Sequence, residues 1–353
     1  MAEFYRILVG LMALFMQMLN SAPTFQLPTP VPPTATPVPP TVTYTQAPTL
    51  TATKTPIPTA TATATRFVVE NPLGVAITGE PPAQNQPSAF LVYPLVSTAN
   101  GADTFIELLN MTNAPVSVKC IFINSSNCRG LDFFVNLTAL QPASWTAKSG
   151  KTSDGVRIAP PFIGQGELKC LVEPRSVTLS AHNAIQGRAL VNETGGSTIG
   201  YNAIGIRRLI PGDFGGSLDL DGVTYEQCPD RLHFQVRAQQ TGSDSELILV
   251  PCTEDLERVT VGTTNVQFAI INEFEQHTSG STSLNCYMRR SFSQISPLRR
   301  SISGTDSLHA IVRAINFPVM GLVVNRFQTA GGMSVSSNTP YLEGGRSANV
   351  TVP

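Results

Sequence analysis

The chain has 353 residues, of which 13% are charged and 7% aromatic, and its formal net charge is −1. That charge excludes the strongly basic surface of most nucleic-acid-binding domains, so we expect no nucleic-acid partner. The length accommodates two or three domains. The 28 prolines exceed ordinary usage, which predicts that part of the chain is not packed into a core.

Residues 1–22 have the pattern of an export signal. Arg6 precedes a mostly apolar stretch from Ile7 to Leu19, and the small residues that follow end at Ala22. The stretch is shorter than the roughly 20 residues that span a bilayer, so we expect cleavage after Ala22 and no transmembrane span in the mature chain. The expected location is extracellular or at the cell surface, with the periplasm as the alternative.

Residues 23–87 predict a disordered linker. The part from Pro23 to Thr65 is dominated by Thr, Pro, Ala and Val, and Lys54 is its only charged residue. This composition offers too little large apolar surface to offset the entropy lost when a chain becomes ordered. Where the prolines impose an extended conformation, the segment could hold the folded part up to about 130 Å from the N-terminus.

From Ser88 onward the sequence consists of short β-strand patterns separated by turn residues. The clearest strand is PVSVKCIFIN, Pro115–Asn124, in which Val118, Cys120 and Phe122 share one side of an extended backbone. No window of this region has a convincing helical period. Many short strands with turn signals at this spacing predict an all-β fold built from antiparallel sandwiches.

Three segments in the first half of this region have similar segments, in the same order, in the second half. VKCIFIN resembles VQFAIIN from Val266, ELKCLV resembles SLHAIVRA from Ser307, and RALVN resembles GLVVN from Gly321. The order predicts two tandem antiparallel β-sandwich domains. Their expected ranges are 88–209 and 223–330, joined by a Gly/Asp-rich segment over 210–222 and followed by a flexible tail over 331–353.

The six cysteines are an even number in a chain that we expect to be exported, which favours disulfides over a metal site. The paired C-x₂₋₄-C spacings of zinc sites are missing from the sequence. We expect Cys120 to pair with Cys170, because both lie within predicted strands of the first domain. We expect Cys228 to pair with Cys252 at the base of a hairpin whose turn is QQTGSDS.

Two cysteines stay unassigned at this point. Cys128 lies in the loop SSNCRG, and Cys286 lies in the predicted strand SLNCYM. They could bridge the two domains, or Cys128 could pair locally with Cys120.

Candidate ligand residues are few. Asp219 and Asp221 belong to a stretch that resembles a fragment of a calcium loop, but Gly222 comes two positions early and the bidentate Glu is missing. A simple Asp/Gly turn is therefore the favoured interpretation, and we expect no cofactor. The single tryptophan, Trp145, is expected to fill the core of the first domain, and the alternative is an exposed platform for a sugar ring.

The four histidines give no catalytic signature. None lies in an H-E-x-x-H motif, a metal-spaced cluster or a nucleophile-elbow context. His182 and His309 fall in predicted strands, where a hydrogen-bonded structural histidine is the expected role. The sequence therefore predicts no catalytic residue.

Several segments together resemble a family of exported bacterial proteins with tandem β domains. They are FLVYPLV, DTFIELLN, VKCIFIN, LQPASWTA, GELKCLV, YNAIGI, ELILVPCTEDL and VQFAIINEFEQ, and the resemblance covers about Ala89 to Phe327. It implies an exported bacterial β protein and carries over no activity or catalytic residue.

These observations predict an exported, non-enzymatic binding or structural module that is displayed on the Thr/Pro-rich stalk. The expected partner is a cell-surface glycan or another surface protein. The alternative is a secreted hydrolase of polysaccharides or esters, whose Asp and Glu residues cannot be recognised from their spacing.

Overall fold

The computed structural model describes residues 86–173, 182–210, 217–239, 244–252, 254–255, 263–329 and 332–351. The predicted signal segment, nearly all of the predicted linker and residues 211–216 of the joint lie outside these ranges. We call residues 86–210 the first half and residues 217–351 the second half.

The described chain is all-β, as the sequence predicts, and its sheets are antiparallel apart from one short parallel pair, β13 with β21. The first half contains β1 (Phe90–Ser97), β2 (Asp103–Asn110), β3 (Val116–Asn124), β4 (Gly130–Leu137), β5 (Pro142–Thr146), β6 (Gln165–Val172), β7 (Ile185–Asn192), β8 (Thr198–Asn202) and β9 (Ile204–Ile206).

The second half contains twelve strands. They are β10 (Ser217–Leu220), β11 (Arg231–Arg237), β12 (Glu246–Pro251), β13 (Glu254–Asp255), β14 (Thr264–Asn272), β15 (His277–Leu284), β16 (Met288–Ser291), β17 (Ser307–Ala314), β18 (Val319–Thr329), β19 (Gly332–Asn338), β20 (Tyr341–Glu343) and β21 (Ala348–Thr351). The helical segments among the described residues are single turns: Ala99–Gly101, Phe292–Gln294, Ser296–Leu298 and Arg300–Ser303. None of them is long and apolar enough to cross a membrane.

The first half packs a five-stranded sheet, β4-β3-β6-β1-β9, against a four-stranded sheet, β5-β2-β7-β8. Alternation along β3 sends Cys120 and Phe122 into the core between them, and both are fully buried. The Phe122 ring stacks on the rings of Phe133 and Phe162, with centroids 5.2 and 4.9 Å away. The period-2 pattern in the sequence thus predicted the inward face of β3 correctly.

The second half repeats this strand order. Its five-stranded sheet is β15-β14-β17-β11-β20 and its four-stranded sheet is β16-β12-β18-β19, so each strand of the first half has a counterpart at the same place in sheet and chain order. Phe268 and Ile270 of β14 are buried like Cys120 and Phe122 of β3. A further small sheet, β10-β21-β13, has no counterpart among the described strands.

One of the three sequence similarities is displaced by an odd number of residues. Ala189 and Val191 of β7 point into the core of their own half, and the match of RALVN to GLVVN aligns them with Leu322 and Val324 of β18. These two residues belong to the core of the first half rather than to the core of the second. Because side chains alternate along a strand, a match displaced by one residue exchanges the two faces.

Apolar residues of the two halves pack together in each of two buried clusters. The reverse face of the first five-stranded sheet, including Phe90, Val92 and Ile121, belongs to the same cluster of buried residues as Phe234 and Phe268 of the second half. The four-stranded sheet of the second half, with β12 and β18 at its centre, covers this face together with the small sheet. Strands β1, β3, β6 and β9 of the first five-stranded sheet are therefore largely buried on both sides, whereas the edge strand β4 exposes its outward side chains.

Polar groups also cross this junction. Glu193, in the turn after β7, accepts hydrogen bonds from Arg289 and Arg326 of the second half at 2.9 and 2.8 Å. Both guanidinium groups also bind Glu246, at 2.7 and 2.9 Å. These four side chains are only 15–17% exposed, and we call them the junction charge square.

The six cysteines lie at disulfide distance in three pairs, Cys120–Cys170, Cys128–Cys286 and Cys228–Cys252. Two are the pairs expected from the sequence, and the third links the first half to the second. The hairpin proposed for Cys228 and Cys252 is wrong, however. The strand after Cys228, β11, pairs with β17 and β20, whereas β12 pairs with β16 and β18, so this disulfide ties together two different sheets.

The expectation of a flexible tail over 331–353 is also wrong for the residues described. Gly332–Asn338 pairs with β18, Tyr341–Glu343 with β11, and Ala348–Thr351 with β10. Val350 is fully buried and Leu342 almost so. Local composition suggested a tail, but neighbouring strands supply the hydrogen bonds that hold these residues, and strand formation depends on such context more than on intrinsic propensity.

Replacement of Phe122 by Ala should destabilise the protein by about 3–5 kcal/mol, because it leaves a cavity between the rings of Phe133 and Phe162. Urea denaturation followed by circular dichroism measures the change. Phe274→Ala is the matched control, since that ring is 72% exposed, and its loss should cost less than about 0.5 kcal/mol. Equal losses for the two variants would show that β3 does not present Phe122 to the core.

The junction charge square predicts acid sensitivity. Burial alone would raise the pKa of Glu193, but hydrogen bonds from Arg326, Ser197 and Arg289 outweigh it and hold the pKa below its ordinary value. A carboxylate with a lowered folded-state pKa stabilises the fold above its unfolded-state pKa of 4.5, and that contribution disappears as the pH falls through the lower folded value.

The Glu193→Gln variant should therefore be less stable than the wild type at neutral pH. It should also lose less stability than the wild type when urea unfolding is repeated at acidic pH. Glu273→Gln, which alters an exposed carboxylate, is the control. Parallel pH profiles for the wild type and the Glu193 variant would contradict the stabilising role of this charge.

Candidate functional site

The residues singled out from the sequence do not form a site. Trp145 lies in β5, is fully buried and meets the Phe133 ring edge to face at 6.1 Å. Its ring fills the core of the first half, so no ligand can stack on it, and the alternative of a sugar platform is wrong.

The two aspartates hold local structure. Asp221 accepts hydrogen bonds from the backbone N–H groups of Val223 and Thr224 at 2.8 and 2.6 Å, within a turn. Burial opposes ionisation of Asp221, but these bonds outweigh it and lower its pKa. Asp219 accepts hydrogen bonds from Ser217 and from Asn349 of the neighbouring strand β21. In the described part of the chain, no group of three or more His, Cys, Asp or Glu residues is placed to hold a metal ion.

The histidines divide into two kinds. His182 is buried, and its Nε2 accepts a hydrogen bond from Nη1 of Arg208 at 2.6 Å, which fits the structural role expected for it. His309 is also hydrogen-bonded within a strand, but it is exposed. It lies on the outward face of β17, where its Nε2 is 3.0 Å from Nδ1 of His233 on β11.

These two histidines belong to a cluster of charged and aromatic side chains that we call the polar face. It occupies the outward side of the five-stranded sheet in the second half. The face results from the alternation of side chains along β-strands. The inward residues of β11 and β17 are apolar and buried, and the residues between them point away from the core. Its members are Asp230, Arg231, His233, His309, Arg313, Tyr341 and Glu343.

His233 is the centre of the polar face. Its Nε2–H donates to the carboxylate of Glu343, and when the ring is neutral its Nδ1 accepts from Nε2–H of His309. The two imidazoles are stacked with centroids 5.2 Å apart, and the Tyr341 ring meets His233 edge-on at 5.9 Å. Partial burial and the neighbouring His233 lower the pKa of His309, which favours its neutral form.

Ion pairs frame this row of rings. Arg231 lies 3.8 Å from Glu343 and 3.7 Å from Asp230, and Arg313 lies 3.2 Å from the other oxygen of Asp230. Two guanidinium groups and two carboxylates thus balance each other, so the surface offers many hydrogen-bond donors and acceptors with little net charge.

The polar face is open rather than enclosed. Tyr341 is 72% exposed, and the side chains of His233 and Glu343 are 19% and 30% exposed. A hydrogen-bonded carboxylate–imidazole pair is chemically able to move protons, but efficient acid–base catalysis uses a site from which water is excluded. The geometry suits the binding of an extended polar ligand better than catalysis.

A second polar recess lies where the halves meet. It has a volume of about 460 Å³ and is lined by residues of both halves, including Gln165, Tyr287 and the Cys128–Cys286 disulfide. Gln165 donates to the Tyr287 hydroxyl at 3.0 Å, and Arg289 donates to Gln165 at 3.4 Å. Its polar groups therefore mainly bind one another across the junction.

No family model matches this chain, and no curated protein matches it. Among solved structures, it is similar to Thermotoga maritima 1070, with 8% identity, a TM-score of 0.26, and coverage of 34% of this chain and 99% of that one. It is also similar to the PBSX exported protein XepA, with 9% identity, a TM-score of 0.18, and coverage of 70% of this chain and 83% of that one. Scores this low carry no conclusion about function.

Proposed function

We propose that the chain is an exported, non-enzymatic binding module whose polar face binds a glycan outside the cell. The observation that carries the proposal is the exposed Tyr341 ring beside the hydrogen-bonded row of His309, His233 and Glu343. A polyhydroxylated ligand suits a partly solvated surface that has one exposed aromatic ring and hydrogen-bonding groups in fixed positions.

The charge balance supports a glycan over a strongly charged partner. Asp230 and Glu343 balance the charges of Arg231 and Arg313, so these four groups together give no strong attraction to a polyanion or polycation. Carboxylate and imidazole acceptors can bind sugar hydroxyls, and the guanidinium groups can donate to ring and hydroxyl oxygens. A flat sheet face also suits an extended chain better than a small molecule, which needs a concave pocket.

We also propose the arrangement in which this face is used. An export signal over 1–22 is removed, the linker over 23–87 acts as a stalk, and two related β-sandwich units follow over 88–209 and 223–330, with the strands beyond 331 completing the second. Repetition of the strand order supports the two related units. Three cysteine pairs at disulfide distance fit an oxidising compartment.

A secreted hydrolase is the second candidate, and the pair formed by Glu343 and His233 is the observation that favours it. Such a pair could act as general base toward a water molecule. The open setting of the pair makes this function the less favoured of the two.

Binding should depend on Tyr341. The full chain, applied to a glycan array of neutral and acidic polysaccharides, should bind a subset of them. Tyr341→Ala should weaken that binding about tenfold, a loss of ~1.4 kcal/mol. Phe274→Ala removes an equally exposed ring, 72% in both cases, that is not a member of the polar face, and it should leave the affinity unchanged. Binding that survives Tyr341→Ala, or binding to surface proteins alone, would contradict the proposal.

Catalysis is tested separately. Purified protein incubated with pooled polysaccharides and esters should release no product above a buffer control. If product does appear and is lost in Glu343→Gln, the hydrolase replaces the binding module as the better account.

A further inference from the structure

The two five-stranded sheets can be compared position by position, because their registers coincide. In the first, Cys170 lies between Leu91 and Cys120. In the second, Val312 lies in the same way between Leu232 and Phe268. All six residues point inward and are almost completely buried.

This register also aligns the reverse faces. In the first sheet, four positions on the two strands at one edge, β1 and β9, form two opposed pairs: Phe90 with Ile206 and Val92 with Ile204. The same two pairs of positions on β11 and β20 of the second sheet hold Arg231 with Glu343 and His233 with Tyr341.

The residues at these four positions differ between the two halves in polarity and in exposure. In the first half all of them are apolar and 0% exposed, because the second half covers them. In the second half all of them are polar or aromatic, and Tyr341 is 72% exposed. The surface that makes the junction in the first half is thus open and charged in the second.

The surface that the second half contributes to the junction also differs from its counterpart in the first half. In the second half, Ile248, Leu322 and Val324 of β12 and β18 are fully buried and belong to the same apolar cluster as residues of the first half. The corresponding strands of the first half, β2 and β7, instead carry an outward ion pair between Glu107 and Arg188. It borders an open groove of about 600 Å³.

We propose that the junction is a head-to-tail docking mode of the repeated unit, and that the charges at its two open ends stop a second copy of this chain from adding. Repetition of a heterologous contact of this kind between copies would otherwise generate rings or filaments. Burial of the polar face or of the Glu107–Arg188 pair against an apolar sheet would desolvate charges without new partners, which opposes such a contact.

The proposal is tested by restoring the apolar residues. One variant carries Arg231→Phe, His233→Val, Tyr341→Ile and Glu343→Ile, the residues found at the same positions of the first half. A second variant carries Glu107→Val and Arg188→Val. Light scattering after size-exclusion chromatography should show a monomer for the wild type and for each variant alone, and a doubling of the mass when the two variants are mixed.

A control distinguishes specific docking from general stickiness. Ser279→Val and Ser281→Val add apolar surface on β15, an edge strand three positions from β11, and this variant mixed with the second one should stay monomeric. Should the fourfold variant fail to fold by near-ultraviolet circular dichroism, His233→Val with Tyr341→Ile provides the same test with fewer changes.

A mixture that stays monomeric, or a wild type that associates, would overturn the proposal. This result is independent of glycan binding, because it rests on the repeated register and not on the function of the polar face. The Glu107/Arg188 variant keeps the polar face intact, so its glycan binding should equal that of the wild type whichever way the mixing experiment ends.

Discussion

Strands β1 and β9 of the first five-stranded sheet are apolar on both sides, and the rest of the structure depends on covering their second side. Phe90, Val92, Ile204 and Ile206 point away from the core of their own half and are nevertheless fully buried. Burial of side chains of this size contributes roughly 1.5–3 kcal/mol each. A first half alone would expose all four to water, so the second half acts as a structural component of the first rather than as a separate module on a tether.

Polar contacts fix how this apolar contact is made. Lys169, on the reverse face of β6, is fully buried beside Glu167 at 3.3 Å and donates to the backbone carbonyl of Pro251 at 3.0 Å. Such buried charges cost desolvation energy and add little net stability, but they are satisfied in few arrangements. Together with the junction charge square and the Cys128–Cys286 disulfide, they define one relative placement of the halves.

Sequence patterns predicted what depends on local alternation. The inward face of β3 follows from alternation along one strand, and the pair Cys120–Cys170 joins two strands that the sequence predicted. The pair Cys228–Cys252, in contrast, was expected from a hairpin that the structure does not contain. The polar face could not be found in this way, because His233 and His309 are separated by 76 positions and meet only when β11 lies beside β17. A weaker signal did exist, since each histidine occupies a polar position in an alternating strand. The error over the hairpin has the same origin, because chain proximity does not determine which sheet a strand joins.

Equivalent sheets thus have different roles in the two halves: the one in the first half is an apolar docking surface, and the one in the second half is an open polar surface.

The central claim is that the halves form one cooperative unit. Differential scanning calorimetry of the oxidised full chain tests it most directly. We predict a single unfolding transition whose calorimetric enthalpy equals its van't Hoff enthalpy. Two transitions at separate temperatures, each with the enthalpy of about half the chain, would contradict it.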